Sequence, residues 1–152
     1  MLLIIGFLFM FFFIFAGVGI VSGMSLRQII DLPVALMVII PLIFFLIVSK
    51  NGRVIGRYIK TSFVKAHTYT ESELAGLSAA IRNTIRFILG TSGFGFLFCV
   101  IGMLRNLENM EYLGPNFAIA LFTALYSIAI SFFVFFPTQA WAENKLAALR
   151  GD

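Results

Sequence analysis

Polar and apolar positions along this chain fall into long blocks instead of alternating. Four stretches, at about 2–22, 32–49, 87–104 and 115–137, contain no Asp, Glu, Lys, Arg or His. Each lies near the roughly 20 residues that a helix needs to cross the hydrocarbon of a bilayer. No period-two alternation of the outer-membrane barrel kind occurs, so helices must satisfy the backbone hydrogen bonds inside the membrane. The pattern predicts an all-α integral membrane protein with four transmembrane helices and cytoplasmic helical extensions of spans two and three.

The block between spans two and three predicts those extensions. Val54, Ile55, Tyr58, Ile59 and Phe63 recur at intervals of mostly three and four, an amphipathic face that carries span two on below the membrane. Thr70 followed by Glu73 matches a capping box, in which each side chain serves the other residue's N–H. Leu74, Leu77, Ile81 and Ile85 then keep helical spacing into Phe87 with no breaker between them. The third helix is therefore predicted to start near Glu71 and to run some 30 residues, about 50 Å. His67 falls in the bend between the two extensions and reads as a solvated loop side chain. The chain divides into a membrane hairpin at 1–49, a cytoplasmic helical segment at 50–86, a second hairpin at 87–137 and a cytoplasmic tail at 138–152.

Proline, glycine and hydroxyl positions refine the spans. Pro33 fits the first turn of span two, where its missing N–H costs nothing, while Pro41 lies inside and predicts a kink. Gly114-Pro115 reads as the start of span four and Pro137 as its end. Gly19 and Gly23 form a small-xxx-small pair in span one. Span three carries Gly90, Gly93, Gly95 and Gly102, which weaken a helix unless close packing offsets them, so it is predicted to lie against others. Thr123, Ser127 and Ser131 make a weakly polar stripe on span four, with Ala120 and Ala124 beside it. The stripe has two readings: helix packing, with hydroxyls bonding back to carbonyls one turn earlier, or the wall of a narrow polar path.

Composition and charge narrow the classes. The 152 residues are 61% hydrophobic and 12% charged, with mean hydropathy +1.02, too few polar groups to cover a soluble core. The first run lacks a basic n-region and is too long for a signal-peptide core, so it is expected to be a retained span. Nine of the eleven basic residues (Lys50, Arg53, Arg57, Lys60, Lys65, Arg82, Arg86, Lys145 and Arg150) fall on one side, which the positive-inside rule makes cytoplasmic, with both termini there. The sequence pI near 9.6 follows from this asymmetry and points to anionic lipid, not to nucleic acid. Cys99 has no second cysteine to pair with. One histidine and no serine–histidine, paired-carboxylate or metal-ligand cluster argue against an enzyme and against a bound cofactor. Because the spans carry no ionisable group, any ion that crosses here must use an intramembrane carboxylate lent by another chain.

The second half resembles a known family. The run Met103-Leu104-Arg105-Asn106-Leu107-Glu108, then Leu113-Gly114-Pro115-Asn116-Phe117-Ala118-Ile119-Ala120-Leu121, then Thr123-Ala124-Leu125-Tyr126, closing at Phe135-Phe136-Pro137, is similar to the last two spans of the MotA/TolQ/ExbB ion-channel family. Two N-terminal spans joined through Ile30-Asp31-Leu32-Pro33 place the resemblance nearest its flagellar stator branch, with a much shortened cytoplasmic region. The resemblance implies a homopentamer in the bacterial inner membrane around a dimer of a single-span MotB/TolR/ExbD-like partner. The partner's intramembrane Asp would take up transported H+ or Na+, and ion flow would drive rotation or force. It further implies an ion path lined by Thr123, Ser127, Ala124, Thr91, Gly95 and Phe96. Helix bends or gates would fall at Gly114, Pro115 and Pro137, and partner-helix contacts at Gly93, Ala120 and Tyr126. Leu89 stands where the family has a proline, and Phe96 and Ala124 stand where it has threonines. Those departures keep open an alternative, a non-conducting pentameric membrane scaffold.

Overall fold

The computed structural model describes Gly17 and residues 31–62, 68–105, 107 and 110–151; the first span, the Gly19/Gly23 pair, Phe63 and His67 lie outside the described residues. Those described form helices and no strand. They are α1 (Leu32–Val48), α2 (Asn51–Ser62), α3 (Glu71–Arg105), α4 (Met110–Ala129), a π-turn (Ile130–Phe135) and α5 (Phe136–Arg150).

α1 begins as its sequence predicts. The Asp31 carboxylate accepts the Val34 N–H at 3.1 Å, and Pro33 occupies the first turn. Asp31 also donates its own N–H to the Tyr126 hydroxyl at 2.8 Å, which fastens the start of α1 to α4. Pro41 lies inside α1, as expected.

Beyond Val48 the structure corrects the sequence reading. Span two does not carry on as a straight extension, because α2 leaves α1 at 94°. Lys50 adopts φ 58°, in the left-handed region, which breaks the helical path. Gly52 then lets the backbones close on each other: a Cβ built there would sit 2.9 Å from the Leu46 carbonyl oxygen. α2 is amphipathic, but only part of its expected apolar face turns inward, since Val54 and Ile59 are exposed. Tyr58 is buried and Ile55 partly buried against the core, whereas Arg53, Arg57 and Lys60 are exposed.

α3 agrees with its prediction in both start and length. The Glu73 N–H donates to the Thr70 hydroxyl at 3.4 Å, and the Thr70 N–H donates to the Glu73 carboxylate at 3.1 Å. From there the helix runs 35 residues without a break. Its inward face is Leu74, Leu77, Ile81, Thr84, Ile88 and Ser92, at three- and four-residue steps.

The helix expected as span four is longer than 115–137 at both ends. It starts at Met110, so Gly114 and Pro115 are exposed residues within its early turns and do not mark its start. It also passes through Pro137, so Leu113–Arg150 is one run of 38 residues. A proline inside an α-helix removes a hydrogen bond and collides with the carbonyl four residues earlier. Here the preceding turn widens to π geometry, and the Phe136 N–H reaches back five residues to the Ser131 carbonyl. The Thr138 hydroxyl serves the Val134 carbonyl at 3.0 Å.

The core lies between α3 and the α4–α5 run, with α1 and α2 on its flank. Leu42, Tyr58, Leu74, Leu77, Ile81, Ile88, Phe135 and Ala142 form it, and Phe45 stacks on Phe87 at 4.1 Å between α1 and α3. Among the described residues, two helices, Glu71–Arg105 and Leu113–Arg150, are long and apolar enough to cross a bilayer, and the bent α1–α2 pair makes a third if taken as one span. Only 11% and 28% of their apolar windows are buried. An outward surface bearing Phe94, Phe98 and Ile47 at about 70% exposure or more needs lipid or other helices to cover it. The glycines of α3 divide accordingly. Gly95 meets the Thr123 methyl, 3.6 Å from an added Cβ, but among the described residues nothing stands within 4 Å of a Cβ added at Gly90 or Gly93. Among the described residues the expected close packing of that row is made at Gly95 and not at Gly90 or Gly93.

Candidate functional site: a buried hydroxyl row beside an uncharged cleft

α3 and α4 bring four hydroxyl side chains into the interior: Ser92, Thr123, Ser127 and Ser131, each no more than 6% exposed. The steps of four from Thr123 to Ser131 put those three on one face of α4 and its π-turn. Ser92 sits opposite, on the inward face of α3. The Thr123 hydroxyl donates to the Ile119 carbonyl at 2.8 Å, and the Ser127 hydroxyl donates to the Thr123 carbonyl at 2.9 Å. That same Thr123 carbonyl also accepts from Ser92 at 3.2 Å, a bridge between the two helices. The bonding back one turn that the packing reading foresees is thus present at Thr123 and Ser127. Ser131 differs, because its buried hydroxyl oxygen has no hydrogen-bond partner among the described residues. It lies in the π-turn, whose wider backbone leaves less regular carbonyl positions.

Beside this row is a cleft of about 270 Å³ between α1, α3 and α4. Thr91, Ser92, Gly95, Thr123 and Ser127 line it together with apolar side chains such as Pro41, Phe87 and Phe98. None of its described lining residues is Asp, Glu, Lys, Arg or His. The wall is mostly apolar, and three of its four hydroxyls, those of Ser92, Thr123 and Ser127, already donate to backbone carbonyls. An isolated charge would be costly in such surroundings unless a counter-charge came with it.

Four of the six path residues expected from the sequence therefore converge: Thr123, Ser127, Thr91 and Gly95. Phe96 and Ala124 are half-buried and lie outside the cleft lining. Of the three expected partner contacts, Gly93 is exposed, Ala120 is fully buried within the chain, and Tyr126 is engaged with Asp31. Pro137 is buried behind the π-turn it induces. The sequence reading missed Ser92, which the three-and-four spacing from Leu77, Ile81, Thr84 and Ile88 places on the inward face. It also missed the Asp31–Tyr126 bond, for which no local signal exists across 95 residues.

A second polar cluster lies at the α3–α5 end. The Glu143 carboxylate accepts from Ser78 at 2.8 Å and from Gln139 at 2.9 Å. The Gln139 bond, the Ser78 bond and the Arg82 charge hold its carboxyl below the ordinary range, against a smaller opposing effect of burial. Close by, Tyr58, Tyr69 and Trp141 pack ring against ring, with the Lys145 ammonium 5.3 Å from the last two ring centres.

No protein-family model matches the chain, and no solved structure matches it. Over 51 residues, 34% of its length, it is 45% identical to an uncharacterized protein, YtxD, of Bacillus subtilis strain 168. The matched stretch spans about a fifth of that protein's length, 19%.

Proposed function

We propose that this chain is a stator-type subunit of an ion-driven membrane motor in a bacterial inner membrane, with both termini cytoplasmic. It forms a homopentamer around a dimer of single-span partner helices of the MotB/TolR/ExbD kind and couples proton or sodium flow to rotation or force. The observation that carries the reading is the convergence of Thr91, Gly95, Thr123 and Ser127 on one cleft whose described lining bears no acidic or basic side chain. Such a wall offers dipoles to an ion but no group to carry it, which fits a carboxylate brought by a guest helix. The exposed apolar surface of α3, with open glycines at Gly90 and Gly93, fits further helices packed around this one. The resemblance to the MotA/TolQ/ExbB family at Leu113–Tyr126 and Phe135–Pro137 supports the same assembly.

The driving force is ample, at about 2.3 kcal/mol per charge for each 100 mV. The test is ion flux in vesicles holding the complex purified from its own membrane, read with a pH-sensitive or sodium-sensitive dye under an imposed potential. Flux should occur and should fall in Thr123→Val, which removes a cleft hydroxyl at nearly constant volume. A silent wild-type complex would defeat the motor reading. It would favour a pentameric scaffold, a reading that Phe96, Ala124 and the carbonyl-bound hydroxyls of Thr123 and Ser127 also fit.

A further inference from the structure

We propose that the elbow between α1 and α2 is a seat for one anionic phospholipid of the bilayer, with an acyl chain along α1 and its phosphate on α2. The elbow is a right-angled corner, since α2 leaves α1 at 94°. Ile43, Leu46 and Ile47 form its wall, and Gly52 and Arg53 form its floor. The wall is aliphatic and open: Ile43 is 51% exposed and Ile47 73%. It belongs to the apolar run that ends at Val48, so its foot marks the level where hydrocarbon gives way to headgroups.

The floor has the opposite character. Lys50, Arg53 and Lys60 are exposed on or beside α2, and the chain from Leu32 to Ser62 contains no Asp or Glu. Gly52 closes the corner against the Leu46 carbonyl, while Gly56, one turn further along α2, leaves the helix surface bare, since a Cβ there would meet nothing within 4 Å among the described residues. A phosphate can therefore approach the helix surface closely, with the Arg53 guanidinium beside it for paired hydrogen bonds. Apolar wall above and cationic floor below complement an amphiphile with an anionic head. A second copy of this chain would bring an apolar helix face, which fits the wall and leaves the cations unmatched. The opposite face of α2 is already used, because Tyr58 and Ile55 pack into the core. α2 thus lies along the membrane surface, with one side on protein and another free for lipid.

The experiment is competitive lipid retention by native mass spectrometry. Delipidated full-length protein in detergent is given equal amounts of phosphatidylglycerol and phosphatidylcholine with identical acyl chains. Wild type should retain phosphatidylglycerol in excess, and added salt should erode that excess. Arg53→Gln should cut the preference about fivefold, the value expected for one cation near an anionic surface, and Lys50→Gln with Arg53→Gln should bring the two lipids close to parity. Arg105→Gln, at the opposite end of α3 from the Tyr58–Trp141 cluster, should keep the preference. Equal retention of both lipids by wild type, or an unchanged preference in the Arg53 and Lys50 variants, would overturn the proposal. The salt comparison needs no variant and so does not depend on how a substitution folds. Neither outcome bears on ion conduction, because the seat stands apart from the hydroxyl-lined cleft.

Discussion

Two glycine-to-alanine substitutions in α2, four residues apart, should move stability in opposite directions. In an ordinary helix either change helps, by about 0.5–1 kcal/mol, because alanine surrenders less chain freedom than glycine. Gly56 should show that gain, since an added methyl meets nothing within 4 Å. Gly52 should not. Its methyl would stand 2.9 Å from the Leu46 carbonyl oxygen and 3.3 Å from the Leu46 carbonyl carbon and Cβ. These are backbone or near-backbone atoms that cannot swing aside, so the elbow itself must open. Overpacking of this kind costs about 1–3 kcal/mol, which outweighs the propensity gain and leaves a net loss of about 1–2 kcal/mol. The two variants should therefore differ by about 2 kcal/mol, although they share their chemistry and their helix. The assay is thermal unfolding in one fixed detergent, followed by Trp141 emission. Trp141 packs 5.2 Å from the Tyr58 ring of α2, so opening of the elbow also registers as a spectral change before unfolding. A Gly52→Ala protein at least as stable as wild type, or a Gly56→Ala protein that is the weaker of the two, would refute the elbow geometry.

Two further outcomes follow from contacts elsewhere. Ser78→Ala removes one donor to Glu143 and should cost about 1 kcal/mol at neutral pH, the usual worth of a side-chain hydrogen bond at a partly exposed site. Because the Glu143 carboxyl is held below the ordinary value of 4.5, its contribution is present above that pH and is lost as pH falls through the lower folded value. Unfolding midpoints measured from neutral to acidic pH should therefore fall less steeply in the variant, and parallel curves would contradict the assignment. At Gly93 an added Cβ meets nothing within 4 Å among the described residues, so Gly93→Leu should leave the monomer folded and no less stable than wild type. If other helices pack on that face of α3, the same variant should elute at a smaller assembly size than wild type in size-exclusion chromatography with light scattering. An intact assembly would remove the α3 glycine face from the interface.

Local rules carried the parts of the fold that local chemistry decides. The Thr70–Glu73 capping box marked where α3 begins, and the unbroken spacing from Leu74 to Ile85 marked its continuation into the membrane run. Pro33 marked the first turn of α1. The hydroxyls of Thr123 and Ser127 were found on one face by counting in fours. What the pattern did not reveal are features in which one residue overrides its neighbours or distant residues meet. No glycine or proline stands at Ser49-Lys50-Asn51 to signal a break, yet Lys50 turns left-handed and the axis swings through a right angle. Pro137 reads as a stop, but a π-turn absorbs it and the helix continues for 13 residues to Arg150. Ser92 joined the site through the Thr123 carbonyl, and Tyr126 was committed to Asp31. Both pairings depend on how α1 and α4 settle against α3, which no local sequence signal records.

The reading of this chain as an uncharged wall around a borrowed carboxylate is tested most directly by the composition of its complex. A tagged chain withdrawn from its native membrane into lipid nanodiscs should give a mass of five 16.9 kDa chains plus two copies of a second, single-span protein carrying an acidic residue in its span. A lone chain, or a ring that contains no second protein, would contradict it.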